Sequence, residues 1–403
     1  MKVNEQEVLI ADIIDWFNNS SEQVYEYTGA AGTGKTHVMK EVVSRLGLHS
    51  YEVAPMAYVG AAAIVLRMKG LTSAKTIHSW IYKATKVRNT DSIYQTSLFD
   101  NQETQPTSSM GMKFIFCPKT HLDGIRLILI DEGSQVPMSM KKDLLNLGIK
   151  ILVAGDINQL HPVMDKPAFL NGDNKIFQLT ELHRQDIRSG IVYLAHQILE
   201  GKPLEPGLYG NAVVLYRDEI SKEQLLEGDI ILTGLNETRE KINKTIRHDL
   251  LNINIELPTN GEKMICRQNN WFVNKDGISL ANGLCGKVIN YPGLPTMIDN
   301  KTFLIDFQPY GTDTVFKNVK TSLPYLRANV NERRIMKQTN YWDGNKFEFA
   351  YSITTHLSQG SQYKTGFYIQ EKLAGNDNKN LDYTGITRFS EFCTVIIPRQ
   401  KYF

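Results

Sequence analysis

The sequence predicts an α/β protein with two doubly wound units, a hairpin inserted in the first and a small β-rich module inserted in the second. Three observations carry that expectation. The runs "RLILIDE" and "KILVAGD" are apolar without interruption, as strands of a parallel sheet buried on both faces must be. Helix-length segments alternate with them, the rhythm of doubly wound sheets whose ligands sit outside the carboxyl edge. The pattern then restarts at "DIILTGLNETREKIN" and resumes at "FEFAYSITTHLSQGSQ".

Taken in order, residues 4–18 place Val8, Leu9, Ile13, Ile14 and Phe17 at helical spacing. "QVYEYT" reads as a short strand, and Lys35 to Leu46 as the helix after the loop that follows. "SYEVAP" is a second strand, followed by an Ala-rich helix from Tyr58 to Met68. The polar stretch from Lys83 to Asp123 is too long for a plain loop in such a core and reads as an insertion. Within it "MKFIFC" predicts one arm of a β-hairpin. Short β-like runs and turns fill 256–345. The divisions that follow are 1–165, holding the hairpin insertion at about 83–123, then 166–255 with 346–403, and the inserted module at 256–345.

Composition sets limits. The chain has 403 residues, 42% hydrophobic and 22% charged, the balance of a globular protein with two to four domains. A net charge of +2 gives no nucleic-acid signal by itself, so any DNA-binding surface is a local groove. Cys117, Cys266, Cys285 and Cys393 lie far apart, which fits reduced thiols in a bacterial cytoplasm better than a zinc site or disulfide framework. Acidic residues among the apolar positions of "MKVNEQEVLIADIIDWF" argue against a signal peptide or membrane span. The expectation is a chain without membrane association.

"GAAGTGKT", Gly29 to Thr36, fits the P-loop pattern in full. Glycines let backbone N–H groups turn inward around phosphates, Lys35 supplies charge, and Thr36 offers a hydroxyl to Mg²⁺. Asp131, at the end of a buried strand, can hold that metal through water, and Glu132 beside it can orient or deprotonate an attacking water. Paired acids are also used as helix caps. Gln159 at the tip of "VAGDINQLHPV" is either a γ-phosphate sensor or an ordinary turn residue.

"GAAGTGKT", "IDEGS" and "GDINQLHPV", followed by "ELHRQ", "ITTHLSQGSQ" and "DYTGITR", stand in the order and spacing of superfamily 1 DNA helicases. The chain resembles their 5′→3′ branch, the RecD-like and phage Dda-like enzymes, over almost its whole length. "THLSQG" followed by "YTGITR" is the most specific part, because ordinary P-loop enzymes lack both. The resemblance implies two RecA-like P-loop domains with ATP between them and an SH3-like fold for the second insertion. It further implies an ATP-dependent helicase acting as a monomer on single-stranded and forked duplex DNA, working alongside replication or recombination proteins; the modest length is compatible with a phage-encoded enzyme. Two rival readings remain open: a translocase subunit of a helicase–nuclease complex, and an ATP-gated switch indifferent to DNA.

Residue by residue, the resemblance assigns Gln6 to the adenine and Gly29, Ala30, Ala31, Gly32, Thr33, Gly34, Lys35 and Thr36 to the phosphates. Glu132, Gln159, Arg184, Arg388 and Lys35 form the implied catalytic set, with Thr36 and Asp131 for the metal. Gly360 and Gln359 would couple nucleotide to DNA grip. Pro55, Thr76, His78, Thr354, Thr355 and His356 match DNA-contacting motifs, His78 reading equally as a buried histidine. Trp80 and Tyr82 read as base stackers or core, and Phe114 and Phe116 as a strand-separating wedge or one buried face. Met56 and Ala57 in "APMAYVG", and Phe389 and Ser390 after "GITR", depart from the family pattern and remove individual DNA contacts.

Overall fold

The computed structural model describes residues 4–86, 112–117, 122–160, 166–172, 176–181, 189–289, 294–338, 343–372 and 378–399. Helix α1 (Glu5–Asn19) starts where Asn4 Oδ1 accepts from the Gln6 amide at 3.0 Å. Its buried stripe is Leu9, Ile10, Ile13 and Trp16, while Val8 is exposed, so the inward face is rotated from the predicted one. There follow β1 (Val24–Gly29), α2 (Lys35–Arg45), β2 (Val53–Ala57), α3 (Gly60–Met68), β3 (Lys75–Thr76) and α4 (Ile77–Ile81). Strands β4 (Tyr82–Lys86) and β5 (Met112–Phe116) form the predicted hairpin. After it come β6 (Leu127–Ile130), α5 (Lys141–Leu145), β7 (Lys150–Gly155) and β8 (Phe177–Leu179).

The first sheet has the order β3-β2-β6-β7-β1-β8, with every described pairing parallel. Both faces are covered, as uninterrupted apolar strands require. Leu9, Val38, Met39, Leu127 and Leu152 fill one side; Ile77, Trp80, Ile128, Val153 and Phe169 fill the other. Because β8 pairs with β1, this sheet runs past residue 165, where the sequence placed the division.

The second unit opens with α6 (Gly190–Leu199), β9 (Gly207–Tyr209), β10 (Ala212–Tyr216), β11 (Ile230–Thr233) and α7 (Asn236–Lys244). The module then supplies β12 (Lys263–Cys266), β13 (Asn270–Lys275), β14 (Ile278–Leu280), β15 (Cys285–Val288), β16 (Thr296–Met297), β17 (Thr302–Pro309) and β18 (Phe316–Ser322). Helices α8 (Leu323–Arg327) and α9 (Val330–Gln338) and strand β19 (Phe347–Phe349) complete it. The chain returns to the second unit with β20 (Ser352–Thr354), β21 (Tyr363–Ile369), α10 (Asn378–Ile386) and β22 (Phe389–Ile397).

The second sheet has the order β20-β11-β21-β22-β10-β9, parallel except for β9. The module's antiparallel sheet runs β16-β17-β15-β12-β19, with β18 also paired to β17. The sequence assigns strand β19 to the resumption of the second unit. It belongs to the module instead, because Phe347 packs edge-on against Phe307 at 5.0 Å inside the module's core. Among the described residues, no helix is long and apolar enough to cross a membrane.

Candidate active site

The P-loop joins β1 to α2 and curls around its own backbone. Gly32 and Gly34 take φ of 84° and 82°, left-handed values that side chains with a Cβ rarely adopt. Gln6 reaches the loop from α1, its Nε2 donating to Thr33 O at 2.9 Å. Thr33 Oγ1 donates to Ala30 O at 2.9 Å, bracing the turn. Lys35 Nζ lies over the loop, donating to Gly29 O at 2.7 Å and Ala30 O at 3.1 Å.

One cavity of about 310 Å³ is lined from both sheets. Ala31, Gly32, Gly34, Lys35 and Thr36 enter from the loop, Asp131 and Glu132 from the end of β6, and Gln159 from the turn after β7. Gly360 and Arg388 enter from the second unit. Gly360 has φ of 74°, and a Cβ there would come within 2.5 Å of Val59 Cγ2, so the segment approaches the first unit as only glycine allows. Beside it Gln359 Nε2 donates to Leu160 O at 2.7 Å.

Charge is concentrated at the seam. Arg388 is 5% exposed, and its Nη1 stands 3.7 Å from Glu132 Oε1. Thr384 O and Ser361 O accept from the same guanidinium at 3.2 and 3.4 Å. Glu132 adopts a left-handed φ of 54°, a strained conformation for this residue type. Burial pushes its carboxyl above the ordinary range; Arg388 opposes that, Asp131 adds to it, and the net direction is up. Glu132 Oε2 and Gln159 Oε1 are buried without a hydrogen-bond partner, so both have acceptor capacity to spare. A partly desolvated carboxylate facing a fixed cation and a phosphate-type loop is an arrangement for hydrolysing a phosphoanhydride.

The residues matched to DNA contacts are placed unevenly. Pro55 is buried within β2, its carbonyl accepting from Trp80 Nε1 at 3.1 Å. Thr76 caps α4, its Oγ1 accepting from Ser79 N at 3.2 Å. His78 stacks on Trp271 of the module at 5.0 Å, and burial lowers its pKa to about 4, so it is neutral near pH 7. Thr354 is buried at the end of β20, and His356 is half-buried in the following turn. Thr355 does not face outward as expected: it is fully buried, and its hydroxyl donates to Thr233 O at 3.2 Å.

Trp80 and Tyr82 belong to the core, Tyr82 Oη donating to Asp143 Oδ2 at 2.5 Å. Phe116 pairs with Tyr82 at the base of the hairpin and packs on the first unit's core, so it is a foot of the hairpin and not a wedge. Phe114 pairs with Ala84 two rungs farther out, and its side chain lies outside the described residues. Arg184 also lies outside them.

Several residues at or beside the site carry no assignment from the sequence. Lys69, just after α3, lines the cavity with its Nζ 3.5 Å from Thr36 Oγ1, and nothing in "RMKG" marks it. Tyr383 and Thr384 cross to the first unit from inside "DYTGITR", a motif in which the resemblance assigns a role only to Arg388.

Residues 5–219, just over half of the chain, match the AAA domain family. The chain belongs to the AAA domain family. This AAA domain protein is 30% identical over 188 residues to the ATP-dependent DNA helicase Pif1 of Psychrobacter sp., a match covering 40% of this chain and 25% of that protein. It is 25% identical over 445 aligned residues to an uncharacterized protein of Methanocaldococcus jannaschii, covering 93% of this chain and 36% of that one. The chain thus spans between a quarter and about a third of the length of these curated relatives. Its fold is that of the Pif1 helicases: the Bacteroides Pif1 structure in complex with ADP-AlF3 and single-stranded DNA superposes with a TM-score of 0.53 at 16% identity, covering 96% of this chain and 91% of that one.

Proposed function

We propose that this protein is an ATP-dependent DNA helicase that moves 5′→3′ on single-stranded DNA and unwinds forked duplexes. The observation that carries the reading is the shared cavity. Lys35, Thr36, Asp131, Glu132 and Gln159 come from the first unit, Gly360 and Arg388 from the second, so the set is complete only when the two units meet. A site built across a seam ties hydrolysis to relative motion of its halves, which is what a motor requires. The names of its relatives point the same way: a Psychrobacter helicase and a Bacteroides helicase solved with a nucleotide analogue and single-stranded DNA.

In this reading phosphate oxygens replace Gly29 O and Ala30 O as partners of the Lys35 ammonium, and the loop amides of Gly32 and Gly34 surround them. Glu132 accepts a proton from, or orients, the attacking water, and Gln159 offers its free Oε1 to the same water. Arg388 stabilises negative charge on the transferring phosphoryl group. Gln6 reads the adenine from its place beside Thr33. Thr36 hydroxyl and Asp131 carboxylate are a hard oxygen pair, suited to Mg²⁺, which binds through one or two protein ligands and keeps its waters. Magnesium held there supplies charge neutralisation on the phosphates.

DNA would run on the side of Pro55, Thr76, His78, Thr354 and His356, gripped through its backbone without sequence reading. Unwinding of forked duplexes with a single 5′ or 3′ tail tests the proposal. The 5′-tailed fork is expected to open and Lys35→Ala to open neither; opening of the 3′-tailed fork alone would reverse the assigned polarity, and unwinding by Lys35→Ala would remove the ATPase from it.

A further inference from the structure

We propose that Tyr383 is a positioning residue that ties the P-loop of the first unit to the helix carrying the sequence into Arg388. The proposal rests on the ATP-hydrolysing reading above. Tyr383 lies on α10 and is fully buried. Its hydroxyl is 2.5 Å from Asp156 Oδ2, just after β7, and 2.9 Å from the backbone nitrogen of Ala31 in the P-loop. Chemistry assigns the protons, since an amide has only a proton to give and a carboxylate only lone pairs. The hydroxyl therefore accepts from Ala31 and donates to Asp156. Asp156 is held in turn, its Oδ1 accepting from Asn158 N at 3.0 Å.

Other bonds cross the seam beside this one. Thr384 Oγ1 accepts from Leu160 N at 3.1 Å, and Gln359 Nε2 donates to Leu160 O at 2.7 Å. Both fasten the turn that holds Gln159. Tyr383 differs because it reaches the phosphate-gripping loop itself. In the ATP-hydrolysing reading, a phosphate oxygen would compete with the tyrosine for the Ala31 amide, a donor of that loop. A phosphate drawing on that amide thus acts on the hydroxyl that Asp156 fixes, and α10 relays the change toward Arg388, whose Nε is bonded to Thr384 O at 3.2 Å. Close packing keeps the helix from absorbing the change: a Cβ at Gly385 would come within 2.2 Å of the Tyr368 ring. A side chain that only filled space here would need no hydroxyl.

The test is steady-state ATP turnover at saturating oligo(dT) for the wild type, Tyr383→Phe, Asp156→Asn and the double variant, with melting temperatures alongside. Phenylalanine keeps the ring and removes only the link. Tyr383→Phe is expected to lower kcat tenfold or more while KM for ATP stays within threefold. Asp156→Asn, which approaches the link from the other unit, is expected to lower kcat less, and the double variant is expected to be no slower than Tyr383→Phe. Wild-type kcat in Tyr383→Phe, a rise in KM alone, or losses that multiply in the double variant would each overturn the proposal. A wild type without ATP turnover would overturn the ATP-hydrolysing reading, and this link with it.

Discussion

Arg388 Nη1 stands 3.7 Å from Glu132 Oε1, and the two residues belong to different units. The pair bridges the seam within the cavity, joining a prospective base to a prospective transition-state cation. Arg388→Ala is expected to lower ATP turnover by about 10³-fold or more, the scale of arginine contributions to phosphoryl transfer. Binding of a fluorescent ATP analogue is expected to weaken far less. Loss of binding with normal turnover at saturation would assign Arg388 to the ground state.

Glu132 sets a pH signature. Burial raises its carboxyl, Arg388 only partly opposing, so it ionises above the ordinary glutamate value of about 4.3. A base works deprotonated, and the acidic limb of the rate profile therefore lies at higher pH than an exposed glutamate would give. Stability has the opposite sense: a raised folded pKa favours the fold below the unfolded value, and that contribution is lost as pH rises through the folded one. Glu132→Gln is expected to abolish turnover and to gain stability relative to wild type as pH rises, followed by urea denaturation.

Much of this site was legible because its chemistry sits in local words. "GAAGTGKT" and "IDEGS" carry their own backbone requirements, and the strands before them were marked by unbroken apolar runs. What stayed illegible depends on partners far away in the chain. Thr355 has an exposed-looking neighbourhood in sequence, yet its hydroxyl is spent on Thr233 O, a contact set by the pairing of β20 with β11. Strand β19 looked like part of the second unit because it adjoins β20, and only the packing of Phe347 on Phe307 gives it to the module. Lys69 carries no local signal at all.

His78 is expected to shape acid stability. Burial holds its folded pKa at about 4, below the ordinary histidine value of about 6.5. The unfolded chain therefore takes up a proton first, and stability falls as pH drops from 6.5 toward 4, by roughly 3 kcal/mol across the window. Urea midpoints at pH 7.5, 5.5 and 4.5 should lose this step in His78→Phe. An unchanged step would place the titration elsewhere.

Glu348 holds the module to the second unit. Burial alone would raise its carboxyl, but Arg267, Arg239 and Arg333 outweigh that and hold it at about 2. Arg239 pairs with Glu348, and Arg267 Nε donates to it at 3.0 Å. A depressed folded pKa contributes stability above the unfolded value, lost as pH falls through about 2. Glu348→Ala is expected to destabilise the protein by about 3–5 kcal/mol, because it strands buried guanidinium groups. Chemical denaturation measures it, and a change under 1 kcal/mol would contradict this role for the cluster.

Hydrolysis at the seam is expected to answer to DNA. ATP turnover of the wild-type chain, with and without single-stranded DNA, tests it most directly. Acceleration of tenfold or more on adding oligo(dT), absent in Lys35→Ala, is the predicted result. Turnover equal in both conditions would contradict it and leave an ATP-gated switch in its place.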